Sequence, residues 1–203
     1  VLLLDGSRSM LGQTRENVTK AEASARATRE LFDRFKNRSR VKHNFQFALV
    51  TYDHTATPVI DPPVPAAEVD ERADYNPARG HGGGTLIWRA LEEAERIVGQ
   101  FLASTPRDGL IRSAVILLMT DGLCLRPNRT REAARRIKDR FGSRVTLAGA
   151  YFSSNTFLEW PGQRLLREIV DDPGRYFATV STGDQLRDFF THTLVGASRV
   201  AAV

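Results

Sequence analysis

Two apolar rhythms alternate along the chain. Residues 1–4 (VLLL) form a continuous apolar run that breaks at Asp5 and Gly6, as a buried strand does on entering a loop. From 17 to about 37, Val18, Ala21, Ala25, Leu31, Phe32 and Phe35 share one helical face, with Thr28 filling the gap and Asn17 placed as the N-cap. Residues 45–53 (FQFALVTYD) are rich in aromatic and β-branched side chains and predict a strand. Residues 57–60 predict a short edge strand stopped by Pro62 and Pro63. Residues 61–80 carry prolines and charges with little period, and read as a surface loop with at most one helical turn.

A glycine-rich loop, 80–84, leads to Thr85 at the start of a helix to about 102, with Ala90, Leu91, Ala94, Ile97, Val98 and Phe101 on its apolar side. The unbroken run AVILLM at 114–119 predicts a central parallel strand covered on both faces, ending at Thr120-Asp121-Gly122. A basic helix over 130–141, a strand over 145–152, a short helix over 165–170, a strand over 176–180 and a final helix from 184 to about 199 complete the pattern. Such alternation predicts an α/β fold, a doubly wound, mostly parallel sheet between helical layers. No internal repeat or composition shift divides the sequence, so residues 1–203 are expected to form a single domain, with 61–80 as a surface loop within it.

Composition changes this picture little. The chain of 203 residues is 41% hydrophobic and 26% charged, ordinary values for a globular protein. No apolar run approaches the roughly 18 residues of a membrane span. No signal peptide is visible, and the opening inside an apolar run without an initiator Met suggests an excised domain. The single cysteine, Cys124, offers no internal disulfide and, with four scattered histidines, no zinc pattern. The net charge is +5, and among 29 basic residues only Lys20, Lys36, Lys42 and Lys138 are lysine. The arginine bias and the lone cysteine point to a bacterial, cytoplasmic protein, with an extracellular or cell-surface setting as the alternative.

Candidate chemistry gathers where ligands bind in open parallel sheets, at the carboxyl ends of the strands. Three loops at such ends carry oxygen-bearing side chains: Asp5, Ser7 and Ser9 after the first strand, Thr85 after the glycine loop, and Asp121 after the AVILLM strand. Two carboxylates and three hydroxyls, without His or Cys, suit a hard divalent cation such as Mg²⁺ or Mn²⁺. Two carboxylates nearly cancel a 2+ ion, and neutral hydroxyls leave it electrophilic toward one further anionic oxygen.

The D-x-S-x-S run at Asp5, Ser7 and Ser9, the G-G-G-T ending at Thr85 and the apolar strand ending T-D-G at Asp121 resemble the von Willebrand factor type A (vWA) domain family and its metal-ion-dependent adhesion site, MIDAS. The order of strands and helices fits over essentially the whole chain. The resemblance implies a Rossmann-like sheet with one short antiparallel edge strand. It implies a metal held by Asp5, Ser7, Ser9, Thr85 and Asp121, as Mg²⁺ or alternatively Mn²⁺ or Ca²⁺. It also implies a protein partner that completes the shell with a Glu or Asp, a non-enzymatic role, and a last helix, 184–199, that shifts in some members. Relatives in bacterial stress, defence or AAA+ ATPase-associated systems set the intracellular expectation; adhesion domains set the extracellular one. One position departs from the commonest motif: Arg8 stands where glycine is frequent. It either points to solvent or sits beside the metal and helps hold an acidic partner residue. His81, before the glycines, is the second candidate for partner contact.

Rival chemistries fit poorly. A P-loop needs a lysine before the threonine, and Gly84 occupies that place; the glycines lack the dinucleotide spacing as well. No G-x-S-x-G elbow is present, and no histidine pairs obviously with Ser7 or Ser9. Nucleic acid is the remaining alternative, through the basic helix at 129–140 with Arg129, Arg131, Arg135, Arg136 and Arg140, although Glu132 and Asp139 interrupt the stripe and no aromatic platform accompanies it.

Overall fold

The computed structural model describes residues 1–37, 44–104, 111–153 and 161–200. Six strands form one sheet: β1 (Leu2–Asp5), β2 (Gln46–Tyr52), β3 (Ala56–Pro65), β4 (Ala114–Thr120), β5 (Val145–Phe152) and β6 (Phe177–Val180), in the spatial order β3-β2-β1-β4-β5-β6. All neighbours pair in parallel except β2 and β3, which are antiparallel. Side chains alternate across the sheet. Leu2 and Leu4 join the core beneath α1 (Lys20–Asn37) and α6 (Gly183–Val200). Leu3 joins the core beneath α2 (Ile87–Ala103), α3 (Pro127–Phe141) and α4 (Pro161–Ile169). A short helix, α5 (Pro173–Tyr176), leads into β6. The doubly wound fold with an antiparallel edge strand is therefore the one observed.

Three local expectations need correction. The edge strand is not short: β3 runs through Pro62 and Pro63. Proline offers no N–H to a ladder, and an edge position or a bulge tolerates that loss. Here both apply, because the register shifts between the pairs Phe47–Val64 and Leu49–Ile60, so Asp61, Pro62 and Pro63 bulge opposite Ala48. Nor is the rest of 61–80 a plain surface loop. Ala66, Val69 and Tyr75 are buried, and the Tyr75 ring stands edge-on to Phe32 with centroids 5.2 Å apart.

The first long helix starts at Lys20 rather than Asn17. Asn17 has φ of 58°, a left-handed conformation that asparagine tolerates and a helix N-cap does not adopt. The cap is Thr19. Its Oγ1 accepts from the Glu22 backbone N–H at 3.1 Å, and its own N–H donates to Glu22 Oε2 at 2.8 Å, a reciprocal capping box.

β1 and β4 are adjacent and parallel, with Leu4 beside Met119, while the chain leaves them toward opposite faces of the sheet. This is the switch point of a doubly wound sheet, where loops diverge and open a crevice. Asp5 and Asp121 both lie at its mouth.

Candidate metal centre

Beyond β1 the backbone stays tied to its neighbour, with Gly6 N donating to Tyr52 O at 2.7 Å. Gly6 has no spare room: a Cβ there would lie 2.0 Å from the Pro77 carbonyl oxygen. Ser7 N then donates to Asp5 Oδ1 at 2.7 Å, closing a tight side-chain-to-backbone turn. A 3-10 helical turn, Arg8–Leu11, follows and swings Ser9 back over the strand ends. Ser7 Oγ and Ser9 Oγ come to lie 3.1 Å apart.

The loop after β4 meets this turn. Ser9 Oγ donates to Asp121 Oδ1 at 2.5 Å, and Thr120 Oγ1 donates to Asp5 Oδ2. The third loop contributes Thr85, held in place by Leu125 N donating to its carbonyl at 3.0 Å. A Cβ at Gly122 would lie 2.9 Å from Thr85 Oγ1 and 3.3 Å from Ser9 Oγ. Hydroxyls from two loops thus aim at one point above the backbone of a third, and only glycine leaves that point open. The structure brings together all five residues expected from the sequence.

Asp5, Ser7, Thr85 and Asp121 are buried; Ser9 is exposed. Burial pushes the Asp5 carboxyl up to about 7, against hydrogen bonds from Ser7 and Thr120, and the nearby Asp121 charge adds to the push. Two acids in one dry pocket favour a counter-charge. The donor set fits a hard divalent cation: all oxygen, two carboxylates, three hydroxyls. Among the described residues no cluster of three or more His, Cys, Asp or Glu side chains could hold a metal, so such a site must draw on hydroxyls.

Arg8, Lys20, Leu123 and Leu125 border the same crevice, and Arg8, Leu123 and Leu125 are exposed there. Lys20 was not legible as a site residue. It is the first residue of α1, eleven positions beyond the motif, yet its Nζ donates to Asp121 Oδ2 at 2.7 Å.

His81 does not reach this crevice as a contact surface. Its side chain is 3% exposed, with Nε2 3.0 Å from Thr51 Oγ1 and Nδ1 3.0 Å from Asp53 Oδ1. It works with Asp53, a second residue that sequence reasoning missed. Asp53 Oδ2 accepts from Gly82 N at 3.1 Å and Gly83 N at 2.9 Å, and Oδ1 accepts from Thr55 N at 2.8 Å. Burial opposes the Asp53 charge, but backbone donors from Thr55 and Gly83, the His81 ring and the Thr55 hydroxyl outweigh it and hold the carboxyl well below the usual range. Gly83 O in turn accepts from Arg8 N at 3.2 Å, so this clamp links the glycine loop to the Ser9 turn. The signal available in the sequence was a strand ending in Tyr52-Asp53, much as β4 ends in Thr120-Asp121.

The basic helix is largely paired within the protein. Arg131 meets Glu168 at 2.7 Å, Arg136 and Arg140 meet Glu95 at 2.7 and 3.0 Å, and Arg129 stacks 5.0 Å over the Trp88 ring. The Arg131, Arg136 and Arg140 side chains remain 39–56% exposed, but each already holds an acidic partner that a phosphate would have to displace.

Relatives share this architecture. A structure described as von Willebrand factor type A from Catenulispora acidiphila is 20% identical with a TM-score of 0.67, over 95% of this chain and 41% of that one. The pilus adhesin SpaC from Lactobacillus rhamnosus GG is 12% identical with a TM-score of 0.71, over 98% of this chain and 30% of that one. The manganese-loaded TRAP protein of Plasmodium vivax is 18% identical with a TM-score of 0.56, over 95% of this chain and 71% of that one. The chain spans less than half the length of the first two proteins. No curated protein matches the sequence. The family profile described as von Willebrand factor type A domain matches residues 1–192, and the chain belongs to that family.

Proposed function

We propose that this chain is a metal-dependent protein-interaction domain, which takes an acidic side chain of a partner onto a divalent cation held by Asp5, Ser7, Ser9, Thr85 and Asp121. One observation carries the reading: Thr85 Oγ1 and Ser9 Oγ converge over Gly122 beside two buried carboxylates. When bound, the ion supplies an electrophilic centre for an anionic oxygen. Asp5 and Asp121 balance its charge, and the hydroxyls orient it without quenching it. Mg²⁺ is the leading ion on donor chemistry; the manganese-loaded relative keeps Mn²⁺ in view, and Ca²⁺ is the third choice. Arg8, exposed on the rim, is placed to pair with the incoming carboxylate, and Leu123 and Leu125 offer apolar contact around it.

The setting is better read from the relatives than from composition. A pilus adhesin among them favours a cell-surface adhesion role over the intracellular one suggested by the arginine bias and lone cysteine. Among the described residues, no helix is long and apolar enough to cross a membrane. The paired arginines of α3 count against nucleic acid as the partner.

The test is Mn²⁺ titration followed by electron paramagnetic resonance, together with partner capture in the presence and absence of EDTA. One Mn²⁺ per chain, lost in Asp121→Ala, and capture abolished by EDTA and by that variant are expected. Capture indifferent to both treatments would overturn the reading.

A further inference from the structure

We infer that Lys20 is a tethered cation that competes with the divalent ion for Asp121 and thereby sets the metal affinity of the site. This inference rests on the metal-binding reading. Asp121 has two carboxylate oxygens: Oδ1 receives the Ser9 hydroxyl at 2.5 Å, and Oδ2 receives Lys20 Nζ at 2.7 Å. The pair is shielded from water, with side chains 14% and 0% exposed for Lys20 and Asp121. A charge-assisted bond in such surroundings is strong and weakly screened.

Lys20 is aimed rather than adventitious. It opens α1 directly after the Thr19 cap, inside the Thr19–Glu22 capping box. Its backbone N donates to Gly12 O at 3.0 Å, and Gly12 N donates to Ser9 O at 3.0 Å. A Cβ at Gly12 would lie 3.9 Å from both Cε and Nζ of Lys20, so the ammonium rests against the same turn that carries Ser9. The turn, the helix start and Asp121 thus form one connected unit.

A divalent ion bound beside Asp121 meets the like charge of this ammonium. Either the four-carbon stem swings aside, giving up its bond to Oδ2, or it stays and repels the ion. Both routes weaken metal binding relative to a neutral residue. The chain therefore balances the Asp121 charge by itself and takes up metal only at the cost of that balance, which makes Lys20 a determinant of how much free metal the domain requires.

Wild type, Lys20→Met, Lys20→Gln and Lys20→Arg should be compared by Mn²⁺ titration and by thermal melting in EDTA. Met keeps the apolar stem, and Gln keeps a donor for Asp121 should the Met variant fail to fold. Met or Gln should bind Mn²⁺ about tenfold or more tightly and melt lower in EDTA, whereas Arg should stay close to wild type. A merely structural lysine would lower the melting point without tightening metal binding. Equal or weaker Mn²⁺ binding in the folded neutral variants would overturn the inference while leaving the metal site intact. Binding in none of the four proteins would overturn both. Binding confined to the neutral variants would support the inference while overturning metal uptake by the wild-type domain.

Discussion

Ser9 and Asp121 stand 112 positions apart in sequence and share a 2.5 Å hydrogen bond that joins the loop after β1 to the loop after β4. Because Asp121 also holds Lys20, one carboxylate ties together the Ser9 turn, the start of α1 and the end of the central strand. The site is thus a product of the sheet's strand order, and its parts should fail together.

Removing Asp121 should expose this coupling. In EDTA, Asp121→Ala leaves the ammonium of Lys20, whose side chain is 14% exposed in the intact pair, without its partner. Breaking a buried pair in this way costs about 3 kcal/mol, toward the low end because the ammonium retains some solvent. The double variant with Lys20→Met should recover a large part of that loss. Urea unfolding of the two single variants and the double variant measures the coupling, and additive losses would argue that the pair is inconsequential.

Gly122 permits a cleaner separation of site from fold. Its φ is not in the left-handed region, so alanine suits its backbone; the obstacle is space, with Thr85 Oγ1 at 2.9 Å and Ser9 Oγ at 3.3 Å from the new methyl. Gly122→Ala should keep the fold, losing about 1–2 kcal/mol by denaturant melt, in the range of a modest overpacking. Mn²⁺ binding should fall by more than about tenfold, since the methyl occupies the point where the hydroxyls converge. Normal metal affinity in this variant would mean that the ion sits elsewhere.

Much of the architecture was legible because periodicity reports burial. Leu2 and Leu4 against Leu3, and the unbroken run ending at Met119, are direct records of a sheet covered on both faces. That the five candidate residues would lie near one another was legible because Asp5, Ser7, Ser9 and Asp121 end or follow β1 and β4 at the carboxyl edge, and Thr85 lies just ahead of α2. Lys20 and Asp53 were not, for one physical reason: their roles come from partners distant in sequence, Asp121 for the lysine and His81 with the glycine loop for the aspartate. His81 failed as a surface residue on the same account, since Thr51 and Asp53 draw its ring inward. Pro62 and Pro63 do not end β3 because they lie in a bulge of an edge strand, where a missing N–H is tolerated.

The start of α1 distinguishes the two candidate caps. Thr19→Ala should cost about 1 kcal/mol, the usual loss of a helix N-cap. Asn17→Gly should change stability by only a few tenths of a kcal/mol, because glycine accepts the φ of 58° at least as readily as asparagine. Thermal melts in EDTA compare them, and a larger loss at Asn17 than at Thr19 would contradict the observed helix start.

Asp53 should give the domain a distinctive acid response. Its folded carboxyl is held well below the usual range, while an unfolded aspartate titrates near 3.9. Between those two values the unfolded chain binds the extra proton, so stability rises with pH there. The contribution of Asp53 is therefore complete above about pH 5 and is lost as pH falls below about 4. Asp53→Asn removes the titration and turns an amide N–H₂ toward the donors of Gly82, Gly83 and His81, which should cost about 1–3 kcal/mol at pH 7. The gap between wild type and variant should narrow as the pH is lowered from 5 toward 3, measured by urea unfolding at each pH in EDTA. Because the clamp also positions Arg8 N through Gly83 O, Mn²⁺ binding by Asp53→Asn at pH 7 should weaken although no donor to the ion has changed. A pH-independent gap with unchanged Mn²⁺ affinity would show that the Asp53 clamp neither carries its charge into the folded state nor supports the Ser9 turn.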